Sequence, residues 1–217
     1  DYYGLRHVDT ATGSATTLVA SSSAPSGVAV SPDGALLFVA DMDDNRIRQV
    51  AIATGAVTTI AGSGSASFAD GVGYAASFSY PRGVAVSADG ALLFVADSSN
   101  RRIRQVAIAT GAVTTLALLS SSYEQRLAVS PDGTLLFVVD NACEYYRICQ
   151  VAIATGAVTT LHSSIYYPSG VAVSPDGALL FVAENSYHRI QRLELATGAV
   201  TTLAGSGSAS FADGVGY

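Results

Sequence analysis

The same succession of apolar runs and polar breaks occurs four times along the chain. Its first copy, Gly27 to Ala61, reads GVAVSPDG, ALLFVADMDDN, RIRQVAIATG and AVTTIA. It returns from Gly83 to Ala117 and from Gly170 to Ala204, and a diverged copy runs from Arg126 to Leu161, with Arg126-Leu127 in place of Gly-Val. Each copy holds four apolar runs of strand length, in the first copy Gly27–Ser31, Ala35–Ala40, Arg46–Ile52 and Ala56–Ala61. Ser31-Pro32-Asp33-Gly34 fits a type I turn in which proline fixes φ and glycine takes the following left-handed position. Ala53-Thr54-Gly55 closes the third and fourth runs, and Asp41 to Asn45 forms a polar loop between the second and third. The predicted unit is a meander of four antiparallel strands.

In Val28-Ala29-Val30 and Leu36-Leu37-Phe38-Val39 both parities are apolar, so neither face of these sheets suits water. Radially stacked blades cover both faces, whereas a sandwich leaves one wet. The third run breaks alternation, since Ile47, Val50 and Ile52 do not share a parity. A bulge or partial exposure near Arg48 and Gln49 would account for it.

A Thr-Gly landmark at Gly13, Gly55, Gly111, Gly156 and Gly198 gives intervals of 42, 56, 45 and 42 residues, in the range of propeller blades. The longest interval carries an insert from Gly62 to Tyr80. A parallel β-solenoid is the weaker alternative, because its coils are shorter and need no pair of glycine hairpins per copy. The predicted fold is therefore all-β, a β-propeller of four-stranded antiparallel blades with four full blades and an N-terminal half blade. The expected organisation places the outer strands of an incomplete blade in 1–20, a blade in 21–62, and a blade with its long connection in 63–118. A diverged blade follows in 119–161, a further blade in 162–204 and an inter-blade connection in 205–217. Two inner strands are wanting from a closed circle, so a larger ring, or closure through another chain, is expected.

Three stretches carry a family resemblance: Pro81-Arg82-Gly83-Val84-Ala85-Val86, Leu93-Phe94-Val95-Ala96-Asp97 and Asn100-Arg101-Arg102-Ile103-Arg104-Gln105-Val106. Together with Ala61-Gly62-Ser63-Gly64 and Phe68-Ala69-Asp70-Gly71, repeated at Ala204 to Gly207 and Phe211 to Gly214, they resemble an NHL-repeat β-propeller. The histidine-containing dipeptide that closes the family pattern is altered to Asn45-Arg46, Arg101-Arg102, Tyr146-Arg147 and His188-Arg189. The resemblance implies a fold and leaves function to the site, because propellers host many activities. Amidating lyases of this fold use a histidine-held metal and other propeller hydrolases a central calcium, but no residue-by-residue match to either is found among His7, His162 and His188.

Charge narrows the classes. The chain has no lysine, and 11 arginines face 17 acids for a net charge of −6, which gives little to neutralise phosphates. Nucleic acid is an unlikely partner on this count, although RNA binding has precedent in the family. Hydrophobic residues make up 49% and charged residues 13%, and the alanine, valine, serine and threonine that dominate favour short strands over helices. No apolar run is long enough to span a membrane as a helix.

Four acids, Asp41, Asp97, Asp140 and Glu184, end the second strand of each copy and are followed by Arg46, Arg101, Arg147 and Arg189. The expected role of each carboxylate is to hold its loop by accepting backbone N–H groups and an arginine; docking of a partner through these arginines is the sharper alternative. Asp33, Asp89, Asp132 and Asp176 precede the turn glycines and read as turn chemistry. Asp70-Gly71 and Asp213-Gly214 lack the spaced ligands of a calcium loop and read as loops covering a blade junction. Cys143 and Cys149, the only cysteines, bracket an enlarged loop that a disulfide could span, with free thiols expected in a reducing compartment.

Eleven tyrosines fall almost entirely in loops and connections, where a ring can bury area while its hydroxyl stays bonded. Tyr123, Tyr145, Tyr146, Tyr166, Tyr167 and Tyr187, with Arg101, Arg147 and Arg189, are the candidate partner-binding residues. The expected function is a non-enzymatic protein-binding or structural scaffold without cofactor or metal. The alternative is a lyase or hydrolase whose site lies in further blades. The expected partner is a protein, a neighbouring domain or a subunit, in an extracellular or cell-surface setting within a longer protein.

Overall fold

The computed structural model describes residues 4–20, 24–120, 122, 125–141, 146–163 and 165–210. Tyr123, Cys143 and Tyr145 lie outside them. Strands β1 (Leu5–Val8) and β2 (Ala15–Val19) form a two-stranded antiparallel sheet. The first blade is β3 (Pro25–Val30), β4 (Leu36–Asp41), β5 (Arg46–Ala51) and β6 (Val57–Ala61). From the insert come β7 (Gly71–Val72) and a single 3-10 turn, Gly73–Ala75. The second blade is β8 (Pro81–Val86), β9 (Leu92–Asp97), β10 (Arg102–Ala107) and β11 (Ala112–Leu118), with β7 added outside β11 as a fifth strand. The third is β12 (Gln125–Val129), β13 (Leu135–Asn141), β14 (Tyr146–Ala152) and β15 (Val158–His162). The fourth is β16 (Pro168–Val173), β17 (Leu179–Glu184), β18 (Arg189–Glu194) and β19 (Val200–Ala204). The four strands of each blade follow chain order, and only β7, beside β11, departs from it. The protein is an all-β propeller with four antiparallel four-stranded blades, and the first-copy strands begin and end within two residues of the runs read from sequence.

Turn chemistry sets the hairpins. In the first blade Gly34 sits at φ 71°, and the Gly34 N–H donates to Ser31 O (2.8 Å). Asp33 Oδ1 accepts from the Ser31 hydroxyl (2.5 Å) and the Ala35 N–H (3.0 Å), and Ser31 Oγ accepts from the Leu36 N–H (2.9 Å). The same bonds recur around Asp89, Asp132 and Asp176. A bulge does stand beside Arg48, but on the fourth strand, and β5 keeps continuous register with β4, so the broken alternation of the third run is not a bulge of that strand. Register slips between Ile47 and Arg48, whose partners on β6 are Ala61 and Thr59, so Ile60 is the extra residue. It recurs at Ile148/Cys149 and Ile190/Gln191.

The chain divides into two compact units, residues 1–100 with 104–115 and residues 101–103 with 116–217. In the first, Phe38, Ala40, Ile47 and Ala61 of the first blade pack with Ala76 and Phe78 of the insert and with Val84, Leu93, Val95, Val106 and Val113 of the second blade. The backbones of β3 and β8 approach so closely that a Cβ on Gly27 would collide with the Arg82 carbonyl. In the second unit Phe137 and Ile148 of the third blade pack with Ile165 and with Leu180, Val182 and Leu193 of the fourth. Phe78 and Ile165 occupy the same place in the repeat, the short segment that leads into a blade, and each seals the blade before it. Consecutive burial along Phe38-Val39-Ala40, Leu93 to Ala96 and Leu136 to Val139 covers both faces of the first three blades' second strands. The fourth blade departs from this expectation: along β17 only Leu180, Val182 and Glu184 are buried, and Leu179, Phe181 and Ala183 are partly buried.

Removing the Phe78 ring empties a fully enclosed position, so Phe78→Ala is expected to lower unfolding stability by about 3–5 kcal/mol in urea titrations. Hydrogen bonds from Ser31, Ser87, Ser130 and Ser174 first, then backbone N–H groups, hold the carboxyls of Asp33, Asp89, Asp132 and Asp176 below their ordinary value of 3.8. Groups depressed in the folded state contribute stability above the ordinary value and lose it as pH falls through the lowered one. Stability is therefore expected to fall on acidification below 3.8. Replacing all four with asparagine is expected to flatten that slope.

Candidate functional site

The acid that ends each second strand is buried, with Asp41 2%, Asp97 0%, Asp140 1% and Glu184 2% exposed. One carboxylate oxygen accepts a backbone N–H of the segment leading into the same blade: Ala24 to Asp41 (3.2 Å), Ser79 to Asp97 (2.7 Å) and Tyr166 to Glu184 (2.9 Å). Ser79 follows Phe78 and Tyr166 follows Ile165, so in the second and fourth blades this bond fixes the residue that seals the preceding blade. The second oxygen takes a cation or amide: Arg48 on Asp41 (3.2 Å), Arg104 on Asp97 (2.9 Å), Arg147 on Asp140 (3.3 Å), and Arg189 (2.9 Å) with Gln191 (3.0 Å) on Glu184. Burial pushes the Asp97 carboxyl up, against the pull of Ser79, Asn100 and Arg104. Burial also acts on Glu184, but the bonds from Gln191, Tyr166 and Arg189 outweigh it and hold that group down.

The arginine assignment from sequence needs correction in two blades. Asp97 is met by Arg104, seven residues on, and Arg101 is exposed at φ 53°. Arg46 joins Asp44 (2.7 Å), leaving Asp41 to Arg48. The distinguishing signal lies in cross-strand register: Arg46 stands directly opposite Asp41, and Arg48 lies two residues further along the same side of β5. Cys149 occupies the Arg48 and Arg104 position in the third blade. It is buried, its Sγ lies 4.0 Å from Thr160 Oγ1, and burial followed by the Asp140 charge pushes the thiol up. A thiol so placed is a poor nucleophile.

Arg104 is fully enclosed. Besides Asp97 it donates to Ser77 O (3.0 Å), Ala69 O (2.8 Å) and Asp70 Oδ1 (2.6 Å), and its guanidinium lies 4.8 Å from the Phe68 ring centroid and 5.2 Å from that of Phe78. The Asp70 loop covers a blade junction, as its sequence suggested, and its acid is committed to this arginine. In the first blade, where no insert leads in, Arg48 finds its second carboxylate in Asp44 of its own loop. Asn100 stands at the Asp44 position in the second blade and donates to Ser67 O (3.0 Å) of the insert. An external acid and an internal one thus serve the same cation in neighbouring repeats.

The second unit gathers aromatic residues. Tyr146 lies 4.2 Å from Tyr167 and 6.1 Å from Tyr166 between ring centroids, and Tyr166 meets Tyr187 edge-on at 5.5 Å. Arg189 lies 4.9 Å from the Tyr187 ring centroid while bonding Glu184. Tyr166, Tyr167 and Tyr187 are 49%, 53% and 42% exposed. They do not hang on loose loops: the Tyr166 N–H is held by Glu184, and Tyr167, at φ 47°, accepts the Asn185 N–H (3.1 Å) just before Pro168. Five of the candidate residues, Tyr146, Tyr166, Tyr167, Tyr187 and Arg189, are therefore one surface. Arg147 is half-buried on Asp140, and Arg101 takes part in none of these ring contacts among the described residues.

Charge bookkeeping around Arg104 can be tested directly. Asp97→Ala leaves a buried guanidinium without its enclosed counter-ion and is expected to cost about 3–5 kcal/mol. Asp70→Ala removes a half-exposed partner and is expected to cost about 1–2 kcal/mol. Adding Asn100→Asp to Asp70→Ala rebuilds the first blade's arrangement and is expected to recover part of that loss in chemical denaturation.

No protein-family model and no curated protein sequence matches the chain. Its fold is shared with solved structures: a chain of the nidogen/laminin complex has 17% identity and a TM-score of 0.76, over 98% of this chain and 74% of that one. A protein assigned as TolB from Agrobacterium tumefaciens has 17% identity and a TM-score of 0.72, over 92% of this chain and 68% of that one. TolB from Acinetobacter baumannii has 19% identity and a TM-score of 0.72, over 94% of this chain and 49% of that one. At these identities the likeness is one of fold, the propeller already read from the sheets.

Proposed function

We propose that the protein is a non-enzymatic binding scaffold of the NHL-repeat type. Its recognition surface is the group Tyr146, Tyr166, Tyr167, Tyr187 and Arg189, and its partner is another protein. One observation carries the reading: four tyrosines from three separate segments of the sequence stand together, with three of their rings exposed and the backbone beneath them fixed by Glu184. Tyrosine and arginine are the residues that dominate protein interfaces, since each buries a large area at little conformational cost. Rings already fixed by the blade lose little further freedom on association. Tyr123 and Tyr145 extend the proposed surface in sequence but lie outside the described residues. The structure of a nidogen/laminin complex, which shares the fold, is consistent with a propeller working by protein contact. An extracellular or cell-surface setting accompanies the proposal.

Affinity capture with the wild-type chain and with the triple variant Tyr166→Ser, Tyr167→Ser, Tyr187→Ser tests it. A defined partner is expected to be retained by the wild type and to bind at least about tenfold more weakly to the variant, with unchanged circular dichroism. Equal binding by both proteins, or a hydrolase or lyase turnover by the purified chain, would refute the assignment.

A further inference from the structure

Three rings of the tyrosine surface stand at positions where earlier repeats manage with small polar side chains. Tyr166 takes the place of Ser79: each donates its backbone N–H to the acid that ends a second strand, at 2.9 Å to Glu184 and 2.7 Å to Asp97. Tyr146 takes the place of Asn45, whose amide oxygen accepts the Tyr80 N–H (2.9 Å). Tyr187 takes the place of Asp44, whose carboxylate is committed to Arg46 and Arg48. Only Tyr167 repeats a tyrosine, Tyr80, and both take a positive φ before the proline that opens an inner strand. The bonding of the blade is therefore complete without a ring at three of the four positions.

What this surface offers a partner is narrow. Its backbone is in use, with the Tyr166 N–H on Glu184 and Tyr167 O on the Asn185 N–H, so these residues present no edge for a strand to join. Its arginines are in use as well: Arg147 bonds Asp140 and Arg189 bonds Glu184, and both acids are buried. An anionic ligand would have to draw a cation off a buried carboxylate, which is costly. Ring area and hydroxyl donors remain. Among the described residues no group bonds the hydroxyl of Tyr166, Tyr167 or Tyr187. The rings follow one another in a row, Tyr167 to Tyr146 (4.2 Å), Tyr146 to Tyr166 (6.1 Å) and Tyr166 to Tyr187 (5.5 Å). Successive planes turn by 42°, 55° and 79°, so the row is ridged rather than flat.

We infer, on the basis of the recognition surface proposed above, that its partner presents an uncharged proline-rich segment in the polyproline II conformation. Such a helix makes no internal hydrogen bonds, so its carbonyls are free to accept from tyrosine hydroxyls, whereas an α-helix uses its carbonyls internally. Its pyrrolidine rings are compact apolar blocks that pack on aromatic side chains. One turn, about 9 Å, is on the scale of two steps along the row, so prolines a turn apart meet different rings. Ligand and surface are both ordered beforehand, which keeps the entropic cost of association low.

The test titrates the complete chain with labelled decaproline, read by fluorescence anisotropy, and with a labelled Gly-Ser decapeptide as control. The chain has no tryptophan, so its tyrosine emission gives a second readout with unlabelled peptide. Saturable decaproline binding with a Kd of about 1 mM or tighter is expected, and none by the control. Because no free charge takes part, the Kd is expected to change by less than about twofold between about 50 and 500 mM salt. Tyr166→Ser with Tyr167→Ser is expected to weaken binding at least about tenfold. Tyr166→Phe with Tyr167→Phe keeps the rings and removes two donors, and is expected to weaken it about threefold or more. Tyr74→Ser, at an exposed tyrosine of the insert, is expected to bind within about twofold of wild type. No saturable binding up to about 2 mM, a steep salt dependence, or binding indifferent to both tyrosine pairs would overturn the inference. So would saturable binding of cellohexaose without binding of decaproline, which would assign the rings to sugar stacking. A protein partner captured by the wild type and lost in the triple serine variant would survive any of these results, so the recognition surface and its ligand class fail separately.

Discussion

Everything the blades present rests on a carboxylate that has been taken out of water. An isolated buried charge is costly, and it is tolerated where hydrogen bonds and a counter-ion replace its hydration. Asp97 illustrates the exchange, with one oxygen on the Ser79 N–H and the other on Arg104 and Asn100. The bond to Ser79 reaches 18 residues back along the chain, and the residue before Ser79 is the ring that closes the preceding blade. A single acid therefore couples the end of its own second strand to the packing of its neighbour. Glu184 does the same through Tyr166 and Ile165.

Most of the architecture was legible because it is written in local chemistry. The Ser-x-Asp-Gly and Thr-Gly turns require particular residues at particular φ angles, so the strands between them could be bounded from sequence alone. The acids were legible too, since a carboxylate at the end of an apolar strand needs donors. Their partners were not, because Arg46 and Arg48 lie on the same side of one strand and only the packed insert decides that Arg104 is the one enclosed. The tyrosine surface shows the same division. Loop tyrosines can be picked out from sequence, but the approach of Tyr146 to Tyr167 depends on how one blade is laid on the next. The partial burial of Leu179, Phe181 and Ala183 was not legible either, because Leu179 to Glu184 nearly repeat the residues of β4.

Sequence identity among the repeats makes their few differences informative. One position on the third strand holds Arg48, Arg104, Cys149 and Gln191 in turn, and each is matched by a different local arrangement around the acid. Where the cation is kept, a second acid accompanies it, from the loop or from the insert. Where it becomes Gln191, Arg189 moves in to neutralise Glu184 and carries the Tyr187 contact with it. The surface proposed for recognition is thus a by-product of how the fourth blade solved the burial of its carboxylate.

The fifth strand of the second blade has a further consequence, for assembly during synthesis. Repeats as alike as these can exchange strands while the chain is still incomplete, and mispairing between near-identical neighbours is a characteristic failure of repeat proteins. Gly71 and Val72, by pairing with Val113 and Ala112, mark one outer edge as already taken, and the Asp70 contact to Arg104 ties that mark to a single blade. A strand from another repeat that sought this edge would first have to displace Gly71 and Val72 from Val113 and Ala112.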